Sequence, residues 1–221
     1  MSDPSGPPVR VPVFFDDDAA WRRWLEEHES SADEVWLALA KKGSPRATVT
    51  YGEAVDVALC FGWIDSHKVR YDDHFSLQRF SRRSKRSIWS KINQDRVARL
   101  VAEGRMTPTG LAEVERAKAD GRWEAAYAPP SSAEPPAALV AALAENPVAE
   151  AAFAALDKTN RYAIVFRLGN VKRADTLARK IDEYVAMLER GETIHPRRRP
   201  RAAAADSTPS VPAPPTDGPV E

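Results

Sequence analysis

The chain has 221 residues, a single cysteine, and 32 lysines plus arginines balanced by 32 aspartates plus glutamates. That length admits one sizeable core or two small ones, and the zero net charge gives no global field toward nucleic acid or membrane, so any electrostatic function is local. Cys60 alone excludes an intramolecular disulfide and a multi-cysteine zinc site, and its apolar neighbours mark it as a packing residue in a chain kept reduced.

Residues 1–12 are proline-rich and read as a disordered N-terminus. They carry acid and proline where a signal peptide needs a basic start and an apolar run, and no stretch of about 18 apolar residues follows anywhere. The expectation is a cytoplasmic chain without a transmembrane segment. A first unit is expected over 13–127. Asp16 to Asp18 cap a helix whose Trp21, Trp24 and Leu25 share one face. Glu34 to Leu39 reads as a strand. Thr50 and Glu53 form a capping box for a helix through Val55, Ala58 and Leu59, which Gly62 ends. From Trp63 to Ser81 the alternation becomes β-like around Asp72-Asp73, which predicts a hairpin. Helices follow over Asn93 to Ala102 and from Thr107-Pro108 to Gly121. The predicted class is α+β, with a small, mainly antiparallel sheet packed with helices.

Residues 128–136 contain four prolines and no apolar periodicity, which predicts a linker. Beyond it, 137–191 reads as a short all-helical unit whose last helix carries Leu177, Ile181, Val185 and Leu188 as an apolar stripe. So small a bundle is expected to dock on the first unit. Residues 192–221, rich in arginine, alanine and proline, read as a disordered tail.

The chemistry-bearing segment runs from Arg79 to Asn93. Between Arg79 and Lys91 it has six basic side chains and no acidic one. Arg79, Arg82, Arg83, Lys85, Arg86 and Lys91 supply cationic donors for phosphate or carboxylate oxygens. Trp89 adds a stacking surface, while Ser90 and Asn93 sit where a helix N-terminus favours an anion. The predicted partner is an anionic ligand or an acidic protein, with nucleic acid as the alternative because cations and aromatics are interleaved. The competing reading is a solvated basic loop with core aromatics.

Asp65, His67, Asp72, Asp73 and His74 have metal-ligating chemistry, yet Asp72-Asp73 is also what a solvated turn needs, and the turn is preferred. No metal or other cofactor is assigned. No glycine-rich phosphate loop is present, Gly104 to Pro108 is no nucleophile elbow, and no serine, histidine and aspartate stand at a supporting spacing, so the reading is a protein that is not an enzyme.

The runs Tyr51-Gly-Glu-Ala-Val-Asp-Val-Ala-Leu-Cys-Phe-Gly-Trp-Ile-Asp65, Leu77-Gln-Arg-Phe80, Trp89-Ser-Lys-Ile-Asn93, Gly104-Arg-Met-Thr-Pro-Thr-Gly110 and Ala119-Asp-Gly-Arg-Trp123 resemble the YdeI/OmpD-associated family, also called bacteriocin-protection proteins. With Arg161-Tyr162 and Thr176-Leu-Ala-Arg-Lys-Ile181, the resemblance covers roughly residues 14 to 190. It implies a YjbR/CyaY-like (frataxin-like) N-terminal unit, a C-terminal helical domain of the OmpD-associated type, and a protective or stress-related role against bacteriocins or antimicrobial peptides. It implies no catalytic residues. The frataxin-like analogy adds a metal-handling alternative through Asp65, His67 and the residues around Asp72. The porin link in the family name, set beside the missing export signal, implies an indirect, cytoplasmic role. Where relatives commonly show proline after Arg-Phe, this chain has Ser84.

Overall fold

The computed structural model describes residues 10–196. Strand β1 (Pro12–Val13) leads into helix α1 (Asp18–His28), strand β2 (Glu34–Ala40) and helix α2 (Tyr51–Cys60). The hairpin strands β3 (Trp63–Arg70) and β4 (Phe75–Arg82) follow, then helices α3 (Lys91–Ala102) and α4 (Pro108–Ala119). The remaining helices are α5 (Ala137–Ala144), α6 (Pro147–Ala154), α7 (Lys158–Gly169) and α8 (Ala174–Glu189). The class is α+β, as the alternation of patterns predicts. The sheet is mixed, in the order β1-β2-β4-β3, with β1 parallel to β2 and the other two pairings antiparallel.

Local chemistry accounts for the helix starts. Asp17 accepts from the Ala20 amide ahead of α1, and Thr50 and Glu53 complete a reciprocal capping box on α2. Thr107 caps α4 with Pro108 in its first turn. Gly62 leaves α2 at a φ of +72°, a backbone conformation that glycine adopts without steric cost. At the hairpin, Asp72 Oδ1 accepts from the His74 and Phe75 amides, at 2.8 and 2.7 Å, so its carboxylate builds the turn.

Two apolar clusters form. The first gathers Trp21, Leu25, Leu37, Trp63, Phe80 and Leu100 between sheet and helices, and Trp21 lies 5.4 Å from Trp24 in a stacked pair. Cys60 is buried in this core, where desolvation pushes its thiol up and leaves it a packing group. The second cluster joins Leu139, Phe153, Ile164, Leu168, Ile181 and Leu188 across α5 to α8.

At Gly110 in α4, a Cβ would stand 2.1 Å from the Cys60 carbonyl oxygen, so α2 and α4 meet backbone to backbone where only glycine fits. The segment after α4 is tied to the start of α3: the Tyr127 amide donates to the Trp89 carbonyl, and the Lys91 amide donates to that of Tyr127. The helical unit rests against this connection. Phe166 meets the Tyr127 ring edge-on at 4.9 Å, and the Tyr162 hydroxyl donates to the Ala128 carbonyl at 3.2 Å.

The expected boundaries differ at both ends. Pro12 is not part of a disordered arm but the first residue of β1, whose partner Trp36 lies far along the chain. At the other end, Ile194 packs on the second cluster and the His195 amide donates to Asn160 Oδ1 at 2.8 Å. The disorder expected of 1–9 and 197–221 lies outside the described residues.

Candidate functional site

The basic segment from Arg79 to Asn93 does not form one surface. Arg79 grips Glu34 across the sheet, with Nε and Nη2 at 2.8 and 2.5 Å from Oε2, and this bond chiefly holds the Glu34 carboxyl below its usual range. Arg82 pins the loop between α1 and β2 through the Ala32 and Ser30 carbonyls and Asp33 Oδ1, at 3.0, 3.3 and 3.0 Å. Both guanidinium groups are spent on the fold. Lys85 and Arg86 stand exposed on a turn closed by the Ser84 amide donating to Ser87 Oγ at 2.9 Å. Ser90 accepts from the Asn93 amide as the N-cap of α3, and Lys91 is exposed beside it.

Trp89, expected to offer a stacking surface, is 1 % exposed, and Phe80 of the same run is fully buried, so neither offers a ring to a base or ligand. Hydrophobic burial outweighs their placement among cations.

Arg83 departs most from an ordinary surface arginine. It is 6 % exposed, with its guanidinium 3.6 Å over the Trp89 ring and Nη1 donating to the Ile88 carbonyl at 3.1 Å. Its Nε and Nη2 are buried without a hydrogen-bond partner among the described residues. Burial first, and then the Arg122 cation, push its ionisation down to about 9, while Asp65 acts the other way. At neutral pH it is therefore a buried cation with no carboxylate of the described residues bonded to it.

Arg83 lines a cleft of about 440 Å³ together with Gly62, Trp63, Thr109, Glu113 and Arg116. Glu29 also lines the cleft, and Glu29 Oε2 and Trp63 Nε1 are likewise buried without a hydrogen-bond partner among the described residues. Glu113 is 2 % exposed and lies between two arginines: Oε1 accepts from Arg122 Nη1 at 3.0 Å, and Oε2 pairs with Arg116. The same Arg122 nitrogen also reaches the Ser84 and Ser87 carbonyls, at 3.3 and 3.2 Å, fastening the turn of Lys85 and Arg86 to the buried carboxylate. Gly62 allows close approach here, since a Cβ would sit 3.2 Å from that of Glu113.

The cleft thus collects parts of several quoted motifs: Gly62-Trp63, Thr109 and, just behind the wall, Arg122. Glu113 was missed by the sequence reading. A signal existed, because Gly110, Glu113, Val114 and Ala117 are spaced as one buried helical stripe, and an acid on such a stripe demands a partner.

The candidate metal residues are not brought together. Tyr51 donates to Asp65 at 2.8 Å, Asp72 builds its turn, and Asp73 pairs with Arg70. No group of three or more histidine, cysteine, aspartate or glutamate side chains is placed to hold a metal among the described residues. Among the same residues, no helix is long and apolar enough to cross a membrane.

Comparison with known proteins divides the chain. Residues 13–113 match a domain of unknown function (DUF8412), so the YjbR/CyaY-like expectation for this part has no match behind it. No curated protein and no solved structure matches the chain. Residues 132–191, the stretch that holds α5 to α8, match the family model described as bacteriocin-protection, YdeI or OmpD-associated, and it is to this family that the helical part of the chain is similar.

Proposed function

We propose that the chain is a non-enzymatic binding protein that takes an oxyanion group, phosphate or carboxylate, in the cleft beside Arg83. The role that we assign to this binding is protective, of the kind named by the family model that residues 132–191 match, and its proposed place is the cytoplasm. The observation that carries this reading is the buried guanidinium of Arg83, with Nε and Nη2 both unpartnered. Desolvating a cation costs several kcal/mol, and a fold normally offsets that with a carboxylate. Among the described residues none is bonded to Arg83, and an oxyanion that reaches the sealed Nε and Nη2 as the cleft wall parts supplies the missing acceptors in the two-pronged geometry that guanidinium groups favour. Arg116 stands half exposed at the same cleft.

Two features support binding over catalysis. Glu113 is clamped by two arginines, which suits scaffolding more than proton transfer. The one thiol is buried in the core. The nucleic-acid alternative loses its stacking platform with the burial of Phe80 and Trp89.

Calorimetric titration of the full chain with inorganic phosphate, pyrophosphate and citrate, at low and moderate salt, tests the reading. Saturable binding that weakens with salt, and falls at least about tenfold in Arg83→Met with an unchanged circular dichroism spectrum, is the expected result. Silence with every anion, or equal binding by the variant, overturns it.

A further inference from the structure

A second cleft, of about 390 Å³, opens where the two units meet, and it has a different chemistry. Tyr51 at the start of α2, Asp65 on β3 and Asn93 in the first turn of α3 contribute from the α+β unit. Tyr127 comes from the connection after α4, and Tyr162 reaches in from α7. The site is incomplete without the helical unit.

Its charged groups are one of each sign. Asp65 is the acid, and Arg96 is the base, already committed to Asp56 Oδ1 at 2.5 Å and the Gly52 carbonyl at 3.2 Å. An anion entering here faces Asp65, and a cation faces Arg96, with Arg83 also close enough to act on Asp65. A wholly apolar occupant leaves these polar groups desolvated and unpaired.

What the cleft offers is hydrogen bonding of both kinds. Asp65 Oδ2 accepts from the Tyr51 hydroxyl at 2.8 Å, which leaves its other oxygen as a strong acceptor. Among the described residues, the Asn93 side chain and the Tyr127 hydroxyl make no hydrogen bond, so an amide donor and acceptor and a phenol are open. Burial first, then the bond to Asp65, raises the Tyr51 phenol well above its usual range, and burial followed by Tyr127 raises Tyr162. These phenols therefore keep their protons at any ordinary pH. Beside them lie apolar surfaces: Ile92 is 47 % exposed on the rim, and Pro129-Pro130 close one side.

We propose that this cleft binds a neutral polyhydroxylated ring, a mono- or disaccharide. Asp65 and Asn93 hydrogen-bond its hydroxyls, Tyr127 extends the set, and the tyrosine, isoleucine and proline surfaces meet its C–H faces. Cleft volume, charge balance and the mixture of acceptor, amide and phenol agree on this class. The proposal is independent of the oxyanion site, which has other lining residues.

Saturation-transfer NMR on the full chain, with a panel of neutral hexoses, N-acetylhexosamines and their disaccharides, provides the test. One sugar class is expected to saturate, with affinity at least about tenfold weaker in Asp65→Asn and in Asn93→Ala. The second variant breaks no side-chain hydrogen bond within the protein, so its unfolding curve stays at the wild-type position. Excess inorganic phosphate is expected to leave sugar binding unchanged. The proposal is overturned if no sugar binds at millimolar concentration, if both variants bind as wild type does, or if phosphate displaces the sugar. Equal or tighter Asn93-dependent binding of a nucleotide or an alkylamine, run as controls, also overturns the neutral-ligand assignment.

Discussion

Replacing Arg83 with methionine keeps most of the side chain's length over Trp89 and removes the charge. The fall of its ionisation to about 9, at about 1.4 kcal/mol per tenfold change in proton affinity, amounts to about 5 kcal/mol of unfavourable environment for the cation. Against this stand one charge-assisted hydrogen bond to the Ile88 carbonyl, about 1.5–3 kcal/mol, and the face of Trp89, about 2 kcal/mol. The two sides nearly cancel. Without ligand, Arg83→Met is therefore expected to unfold in urea with a free energy equal to the parent's or up to about 2 kcal/mol higher, at an unchanged m-value. Added phosphate at about a hundred times its dissociation constant should then stabilise the parent by about 2.7 kcal/mol and leave the variant where it was. A loss of about 3 kcal/mol or more in the ligand-free variant refutes the reasoning, because it makes the guanidinium a structural clamp.

Glu113→Gln removes the carboxylate held between Arg116 and Arg122, so a loss of about 3 kcal/mol is expected in urea unfolding. The turn of Lys85 and Arg86, tethered through Arg122, should at the same time exchange its amides faster. Gly110→Ala drives a Cβ into the Cys60 carbonyl, and a calorimetric melt should show a loss of about 3 kcal/mol, a larger effect than any alanine on the exposed face of α4. Tyr51 and Tyr162 contribute to the alkaline limb of stability together with the raised Cys60 thiol, while relief of the Arg83 cation above about 9 acts the other way. Both phenols are raised in the fold, so the stability they contribute is complete below the ordinary phenol value of about 10 and is lost as pH rises above it. Melts recorded from neutral to alkaline pH for the parent and for the double variant Tyr51→Phe with Tyr162→Phe should diverge above that value, the parent losing stability relative to the variant.

Sequence was most informative where a signal is local. The Thr50 and Glu53 capping box, the Thr107-Pro108 start with Gly121 beyond the end of α4, and the Asp72 turn are each written within a few residues, and each is present. Strand β1 was hidden because its two residues gain strand character only from β2, through a parallel pairing no short window contains. Arg82 and Arg83 are neighbours with opposite fates, one half exposed at the end of β4 against a loop and one under a tryptophan. That difference is set by which carbonyls and rings stand opposite, not by the residues themselves. The clefts were out of reach for the same reason: Tyr51, Asp65, Tyr127 and Tyr162 acquire a shared meaning only once the chain has closed on itself.

Strand β3, at one edge of the sheet, also governs how the molecule behaves in a crowd of its copies. Between Asp65 and Lys68 it carries one residue more than its partner β4, and its outward stretch presents Ser66, His67, Lys68 and Arg70. A strand arriving from another molecule meets a broken ladder and positive charge there, and at the opposite edge, among the described residues, it finds the two residues of β1. Both borders are poor templates for extension, so the four strands formed by the described residues, and the hairpin that makes up half of them, resist templating a fibril.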